Sequence, residues 1–420
     1  MVSTQFFSSG RTAITMNNYK GISLCRVIYE FTPNSGGSAV HTLELSCHMT
    51  KVLNQQMIIT SGETGVCSES DNDCPFTVHR VNHCRFSGLT QVKKRLFPWL
   101  PVMPLVRFTF TIAALKKILT LHKKHGFDII QAHGVGAGPA VTIAGWILRK
   151  PSVWMMHGTC MAYSRLSGLY ETVLTMLFRP CHLLVLDDGS PAPAKFTGLL
   201  KERVTVVRHG IDTAIFKPAK KPGKLQQELG LPPDAFVLFS PHSLIPAKGQ
   251  EYAIKAFTDF VTTAKTKSAF LLLAGDGKLE STLQSLAGSL PANGFIKFLG
   301  RIPSTKMADY FALCDVTLAT SMYSNKNRSC QEAMACAKPV IAFNSGGTKS
   351  IIRDGKTGLL ADPGNIQALS RQIIKLYADE NLRLELGSNA RLSILENNSW
   401  EKRIKMELAV YKSLLEGRTG

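Results

Sequence analysis

The sequence predicts an α/β protein made of two parallel-sheet domains, and three observations lead there. Short apolar, β-branched runs recur along the chain, each followed by a longer stretch of helical periodicity, as a parallel sheet with crossover helices requires. A length of 420 residues suits two or three domains, each with its own core. Between two series of such runs lies KPAKKPGK, residues 217–224, whose proline, glycine and charge read as a linker.

Expected strands of the first series are Leu24 to Glu30, Gln56 to Thr60, Asp128 to Ala132, Ser152 to His157, His182 to Asp187 and Arg203 to Val207. The second series runs Phe236 to Ser240, Ala269 to Ala274, Phe295 to Phe298, Asp315 to Ala319 and Pro339 to Phe343. This organises the chain as a ragged extension over 1–21, a first domain over 22–216, the linker, a second domain over 225–398 and a terminal segment over 399–420. That last segment reads as an amphipathic helix from Trp400 to Leu415. In open doubly wound sheets ligands bind outside the carboxyl ends of the strands, and two such domains facing each other would make a cleft.

Composition narrows the classes. With 45% hydrophobic and 19% charged residues, and 33 Gly and 20 Pro spread along the chain, disorder, collagen and coiled coil are excluded as overall descriptions. Lys and Arg outnumber Asp and Glu by 49 to 30, a formal charge of +19, which points to anionic partners. The ten cysteines form no C-x-x-C pair and no zinc-spaced cluster, and several sit in apolar runs, as thiols of a reducing cytoplasm would. The first 21 residues lack the apolar core of a signal peptide. The segment from Leu96, LFPWLPVMPLVRFTFTIAALKKIL, is broken by Pro98, Pro101, Pro104 and Arg107 and should not span a bilayer.

Candidate site residues fall in the turns after the strands. Gly36 and Gly37 open a helix whose free N–H groups would favour a phosphate; a plain turn needing glycine is the alternative. His157 ends an apolar strand, where it would touch or deprotonate a substrate hydroxyl, or serve as a satisfied structural histidine; His133 stands in a similar place. Lys248, ahead of Gly249 at a helix start, would neutralise a diphosphate unless it is simply solvated. The AGDG turn at 274–277 is assigned to architecture. Asn325, Lys326, Asn327, Arg328 and Ser329 gather at the start of a short helix, where a phosphate would meet aligned N–H groups and a cation. Glu332, one turn further, would accept both hydroxyls of a ribose or lie at the surface favouring the helix dipole.

Taken in order, the glycine pair at 36–37, HG at 157, RHGIDTAIFKP from Arg208, KG at 248, AGDG, FLGRIPSTKMADYFALCDV from Phe298, QEAMACAKPVIAF from Gln331 and SGG(x)5-RDGKTGLLADPGN resemble the retaining glycosyltransferases of family 4. The similarity spans roughly residues 22–415, and the EAMACxxPVIA and DGxTGLL blocks are its specific part. The resemblance implies the GT-B fold, two facing Rossmann-like domains with an interdomain cleft. It also implies transfer of a sugar from a nucleotide-sugar donor to a glycan or lipid-linked acceptor, with no metal and no other cofactor. On that pattern Glu332 binds ribose, Lys248 meets the diphosphate and the backbone near Arg301 and Ile302 touches the base. Gly37 approaches the donor phosphate, and His157 faces the transferred sugar. Three positions depart from the pattern: Ser324 replaces a second Glu, Ser243 an Arg (with His242 where glycine is common) and Ser350 a Glu. His242, Ser243 and Ser324 belong to the expected donor site all the same, with His242, Arg328 or Lys326 as substitutes for the missing cation. The departures also keep a rival open, a catalytically degenerate member that binds a nucleotide sugar or glycan without turnover; an epimerase or phosphorylase on the same fold has no distinct support.

Residues 91–150 carry ten Lys or Arg against the single acid Asp128. KKRLFPWLPVMPLVRF from Lys93 joins cations to Phe97 and Trp99, so residues 93–124 are expected either to meet an anionic membrane at its inner face or to be a solvated loop and helix whose apolar residues enter the core. No recognition motif for nucleic acid accompanies the basic residues.

Overall fold

A computed structural model describes residues 21–31, 37–62, 74–83, 102–156, 165–187, 192–322 and 327–417. Among these, two parallel sheets form. The first contains β1 (Ser23–Ile28), β2 (Gln55–Ser61), β3 (Thr77–Val81), β4 (Ile129–His133), β5 (Ser152–Met156), β6 (His182–Leu186) and β7 (Val204–Val207), in spatial order β3-β2-β1-β4-β5-β6-β7. The second contains β8 (Phe236–Pro241), β9 (Ala269–Ala274), β10 (Ile296–Phe298), β11 (Val316–Ala319), β12 (Val340–Phe343) and β13 (Leu359–Ala361), in order β10-β9-β8-β11-β12-β13. Both orders reverse direction once, between β1 and β4 and between β8 and β11, and a crevice opens at such a switch point.

Central strands such as β1, β5, β8 and β9 are buried along their whole length, because helices cover both faces of the sheets. Two strands lie outside the expected series. β3 is half exposed at a sheet edge and reads TVHRV, too polar for an apolar run. β13 is three residues long at the opposite edge of the second sheet and is held by pairing with β12, Ile341 facing Leu359.

One face of the first sheet is covered by α1 (Gly37–Met49). The other is covered by α2 (Val102–His125), α3 (Gly138–Leu148), α4 (Arg165–Phe178) and α5 (Ala192–Leu200). The second sheet carries α6 (Gly223–Glu228), α7 (Gln250–Ala264), α8 (Glu280–Gly288), α9 (Met307–Leu313), α10 (Arg328–Ala335), α11 (Ile366–Ala378) and α12 (Glu380–Asn397). The terminal helix α13 (Trp400–Glu416) is capped by Ser399, whose Oγ accepts from the Lys402 N–H, and it returns to the first domain. There Trp400, Ile404, Leu408 and Tyr411 join the core beneath α1.

The chain crosses between domains twice, and the crossings touch. Ile211 N–H donates to Asn398 O at 2.7 Å, and Ile211 pairs with Ser399 as an isolated bridge. Gly210 lies so close to Trp400 that a Cβ there would come within 2.3 Å of the indole. Phe216 lies in the second domain's core, and Lys221 in the 217–224 segment pairs with Asp315 at 2.8 Å, so this stretch packs on the second domain.

Buried under α1 and α13 is an ionic cluster. Glu407 is completely buried, with Arg403 Nη1 at 2.5 Å and Arg26 Nη2 at 3.4 Å. Gln131 Nε2 and the Tyr411 hydroxyl donate to Glu407 Oε1 at 2.9 and 2.5 Å. Arg26 also donates to Gln131, Ser46 and Gln56. Burial alone would raise the Glu407 pKa, but Arg403 and Arg26 outweigh it and hold the carboxyl down at about 2. No described helix is long and apolar enough to cross a membrane.

Candidate active site

The site is built at the switch point of the second sheet. β8 ends at Pro241 and delivers His242 and Ser243; a short 3-10 turn, Pro246–Lys248, then places Lys248 ahead of α7. Gly249 makes this turn possible: its φ is +62°, and a Cβ would fall 2.3 Å from Thr320 O on the neighbouring loop after β11. The AGDG turn has the architectural role expected of it, since a Cβ on Gly275 would strike His242 O at 2.2 Å.

Around the start of α10 several buried polar groups converge. Ser329 Oγ donates to Asn327 Oδ1 at 2.9 Å and lies 3.2 Å from His242 Nδ1. With the hydroxyl proton so placed, Nδ1 carries the imidazole proton and Nε2 is left as a bare acceptor. Nε2 is buried and has no partner among the described residues, and the same is true of Asn327 Nδ2 and both amide atoms of Gln331. Burial, with the Lys248 charge adding to it, pushes the His242 pKa down to about 3, so the ring is neutral. Lys248 makes no ion pair or hydrogen bond through its ammonium among the described residues, and burial lowers its pKa, with Cys330 opposing. A buried polar atom without a partner costs about 1–3 kcal/mol, so several at one crevice mark a place prepared for a ligand.

Arg328 and Glu332 behave differently. Arg328 Nε donates to Glu332 Oε1 at 2.7 Å, while its two terminal nitrogens hold Glu44 of α1 in a bidentate grip at 2.9 and 2.6 Å. Burial opposes the guanidinium charge, but Glu44 and Glu332 outweigh it and raise its pKa. Burial raises the Glu332 pKa, with Arg328 pulling the other way. Arg328 is therefore committed to two carboxylates and does not take the place of the missing diphosphate cation. Because Glu44 belongs to the first domain and Arg328 to the second, the pair spans the cleft between them.

The structure brings Lys248, His242, Asn327, Ser329 and Glu332 to one crevice. Ser243 lies exposed beside it, and Arg301 and Ile302 follow Gly300, whose O accepts from the Gly275 N–H at 2.7 Å. Gly37 is the first residue of α1. Ser350 is exposed and donates to Gly347 O at 2.8 Å. Gly36, His157, Ser324, Asn325 and Lys326 lie outside the described residues. His133 is a satisfied structural histidine, with Thr42 Oγ1 2.9 Å from Nδ1 and Gln131 Oε1 3.2 Å from Nε2. The sequence alone does not reveal Glu44 or Gln331. Glu44 matters only through its partner across the cleft, and Gln331 resembles any polar residue of a short helix. Among the described residues no three His, Cys, Asp or Glu side chains gather as a metal site would require.

Comparison with known proteins identifies the family and the fold. The model of glycosyl transferases group 1 matches residues 223–393, and that of glycosyltransferase family 4 matches residues 35–215. The N-acetyl-alpha-D-glucosaminyl L-malate synthase of Bacillus anthracis is 30% identical over 91% of this chain and 95% of its own length. An uncharacterized glycosyltransferase of Methanocaldococcus jannaschii is 31% identical over 92% and 97%. A D-inositol 3-phosphate glycosyltransferase of Acidothermus cellulolyticus is 29% identical over 53% of this chain and 50% of its own, so there the chain spans about half of the relative. In fold, the crystal structure of Anabaena HepE in complex with UDP superposes with a TM-score of 0.73 at 21% identity, covering 93% of this chain and all of that one. A glycosyltransferase of Rickettsia africae superposes with 0.75 at 18% identity, covering 94% and 99%. The fold is GT-B, and the chain is a glycosyltransferase belonging to group 1, family 4.

Proposed function

We propose that this enzyme moves a sugar from a nucleoside diphosphate donor to a hydroxyl of a glycan or lipid-linked acceptor, with retention of configuration and without a metal. The observation that carries the reading is Lys248 beside the buried His242 Nε2 and Asn327 Nδ2 at the start of α10, none of the three with a partner among the described residues. Lys248 and the N–H groups of α10 would take the charge that develops on the departing diphosphate, and Asn327 Nδ2 would donate to a phosphate oxygen. His242 Nε2, as an acceptor, suits a hydroxyl of the donor. Glu332 would bind the ribose through the oxygen that Arg328 leaves open. The acceptor hydroxyl attacks the anomeric carbon on the face from which the nucleotide leaves. The new C–O bond forms as the old one breaks, and the hydroxyl proton passes to a phosphate oxygen. From the first domain, Gly37 would approach the donor phosphate and His157 would face the transferred sugar. UDP in the related HepE crystal supports a uridine donor as the first to try. A cytoplasmic location would suit the cysteines that are free among the described residues.

Transfer and donor hydrolysis measured with UDP-, GDP- and ADP-sugars test this, alongside thermal shift with the free nucleotides. Equal, poor nucleotide binding by wild type and Lys248→Ala would remove the lysine from the site. The replacements at Ser243, Ser324 and Ser350 favour the degenerate binder as a second reading. Calorimetric binding of a nucleotide sugar with no transfer to any acceptor would decide for it.

A further inference from the structure

Helix α4 turns an apolar row to solvent. Its inward side holds buried Gly168, Glu171 and Thr175, with Leu174 and Phe178 packed on the core, whereas Leu169, Tyr170, Val173 and Leu177 face outward. Leu169 is 59% exposed, Val173 53% and Leu177 67%, so a leucine–valine–leucine stripe recurs every fourth residue along the solvent side.

The neighbours extend the stripe into a surface. At the end of α3, Trp146 is 60% exposed and Ile147 57%, and Trp146 stacks on Phe178 of α4 with ring centroids 6.4 Å apart. The outer row of α2 begins with exposed Phe108 and Ile112, and the Arg107 guanidinium lies 5.6 Å from the Tyr170 ring, joining α2 to α4. Single exposed apolar residues are ordinary, but a run over three packed helices is not.

Cations border this surface. The row on α2 that starts with Phe108 and Ile112 continues through exposed Lys116 to Lys123 and Lys124. Exposed Arg149 caps the end of α3, exposed Arg179 follows α4, and Lys195 reaches from α5 to Thr172 Oγ1 of α4 at 2.8 Å. The acids of α2 to α5 do not offset them: α4 has Glu171 turned inward, and α2, α3 and α5 have none.

We propose that the outer face of α3, α4 and the first half of α2 docks onto an anionic lipid bilayer. The leucine, valine and tryptophan side chains would enter the acyl boundary while the lysine and arginine border meets the headgroups. Charge complementarity selects this occupant: a second copy of the chain would bring the same cations against themselves. The expectation from the sequence placed membrane contact in residues 93–124, of which 93–101 with Phe97 and Trp99 lie outside the described residues; the surface proposed here adds α3 and α4 to it. This surface is separate from the donor crevice, so its failure leaves the transfer reading standing.

The test is co-sedimentation of the full chain with vesicles of equimolar phosphatidylglycerol and phosphatidylcholine, and with phosphatidylcholine alone. Wild type should bind the anionic vesicles and lose affinity with added salt. The triple variant Leu169→Ser, Val173→Ser, Leu177→Ser should bind on the order of tenfold or more weakly, and each of Lys123→Gln and Lys124→Gln about fivefold more weakly. In a Trp99→Phe background, vesicles should shift the emission to shorter wavelength, and Trp146→Phe should abolish the shift. An unchanged melting temperature and UDP thermal shift would show that the triple variant is folded. Equal vesicle binding by folded triple variant and wild type would overturn the proposal. So would a wild-type dimer in analytical ultracentrifugation that the triple variant converts to monomer without any vesicle binding.

Discussion

Two arginine–glutamate clusters join segments far apart in this chain, and they are built on opposite principles. At the return of α13, Glu407 with Arg26 and Arg403 is fully shielded from water. At the cleft, Arg328 grips Glu44 and Glu332 with 41% of its side chain exposed. A buried ion pair cannot be opened cheaply, because a charge left behind in the interior has no water to turn to. An arginine that water reaches is screened, and its pairs are worth less, though Glu44 and Glu332 themselves are mostly covered. The first is therefore the costlier of the two to break, and the second, reached by water at its arginine, the cheaper.

The most damaging way to break this contrast is Glu407→Gln, which strands Arg26 and Arg403. A loss of about 3–5 kcal/mol in urea unfolding is expected, and a loss below 1 kcal/mol would make the two clusters alike. Lys248→Ala comes next and acts on the cleft alone. It should lower kcat/KM for the donor on the order of a hundredfold while leaving the unfolding midpoint unchanged.

Acid separates the regions further. His242 and His48 are held to about 3 and about 4 by burial, so below the ordinary histidine pKa the unfolded chain binds protons that the folded chain refuses. Stability should fall from about pH 6.5 downward by about 1.4 kcal/mol per pH unit for each group, flattening for each below its folded value. Glu407, with its folded pKa depressed to about 2, adds stability that is complete above the unfolded glutamate value. That contribution disappears as pH drops from about 4.3 toward 2. His242→Phe should remove part of the first slope and none of the second. The smallest effect belongs to Glu44→Gln, at most about 1 kcal/mol, and the difference from wild type should shrink in high salt.

Most strands are legible in the sequence because a buried parallel strand must be an apolar run, as AFLLLA at β9 and HLLVL at β6 are. β3 and β13 are not, because their pairing rather than their composition makes them strands. The turn lysine and the Asn327–Ser329 helix start are legible as polar residues where a strand ends. Arg328 reads as a free cation in the sequence, since nothing local in NRSCQEA announces a carboxylate 284 positions earlier.

What the chain determined by itself is its periodicity: the alternation that makes two doubly wound sheets, the glycines that close their turns, and the residues delivered to the strand ends. Only the tertiary structure decided which of those residues are occupied. It committed Arg328 to Glu44 and Glu332, left the Lys248 ammonium without a partner among the described residues, and turned three apolar side chains of α4 outward and its glutamate inward. The physical reason is that backbone pattern is a short-range property. Whether a charge or an apolar face is satisfied depends on what distant segments bring against it.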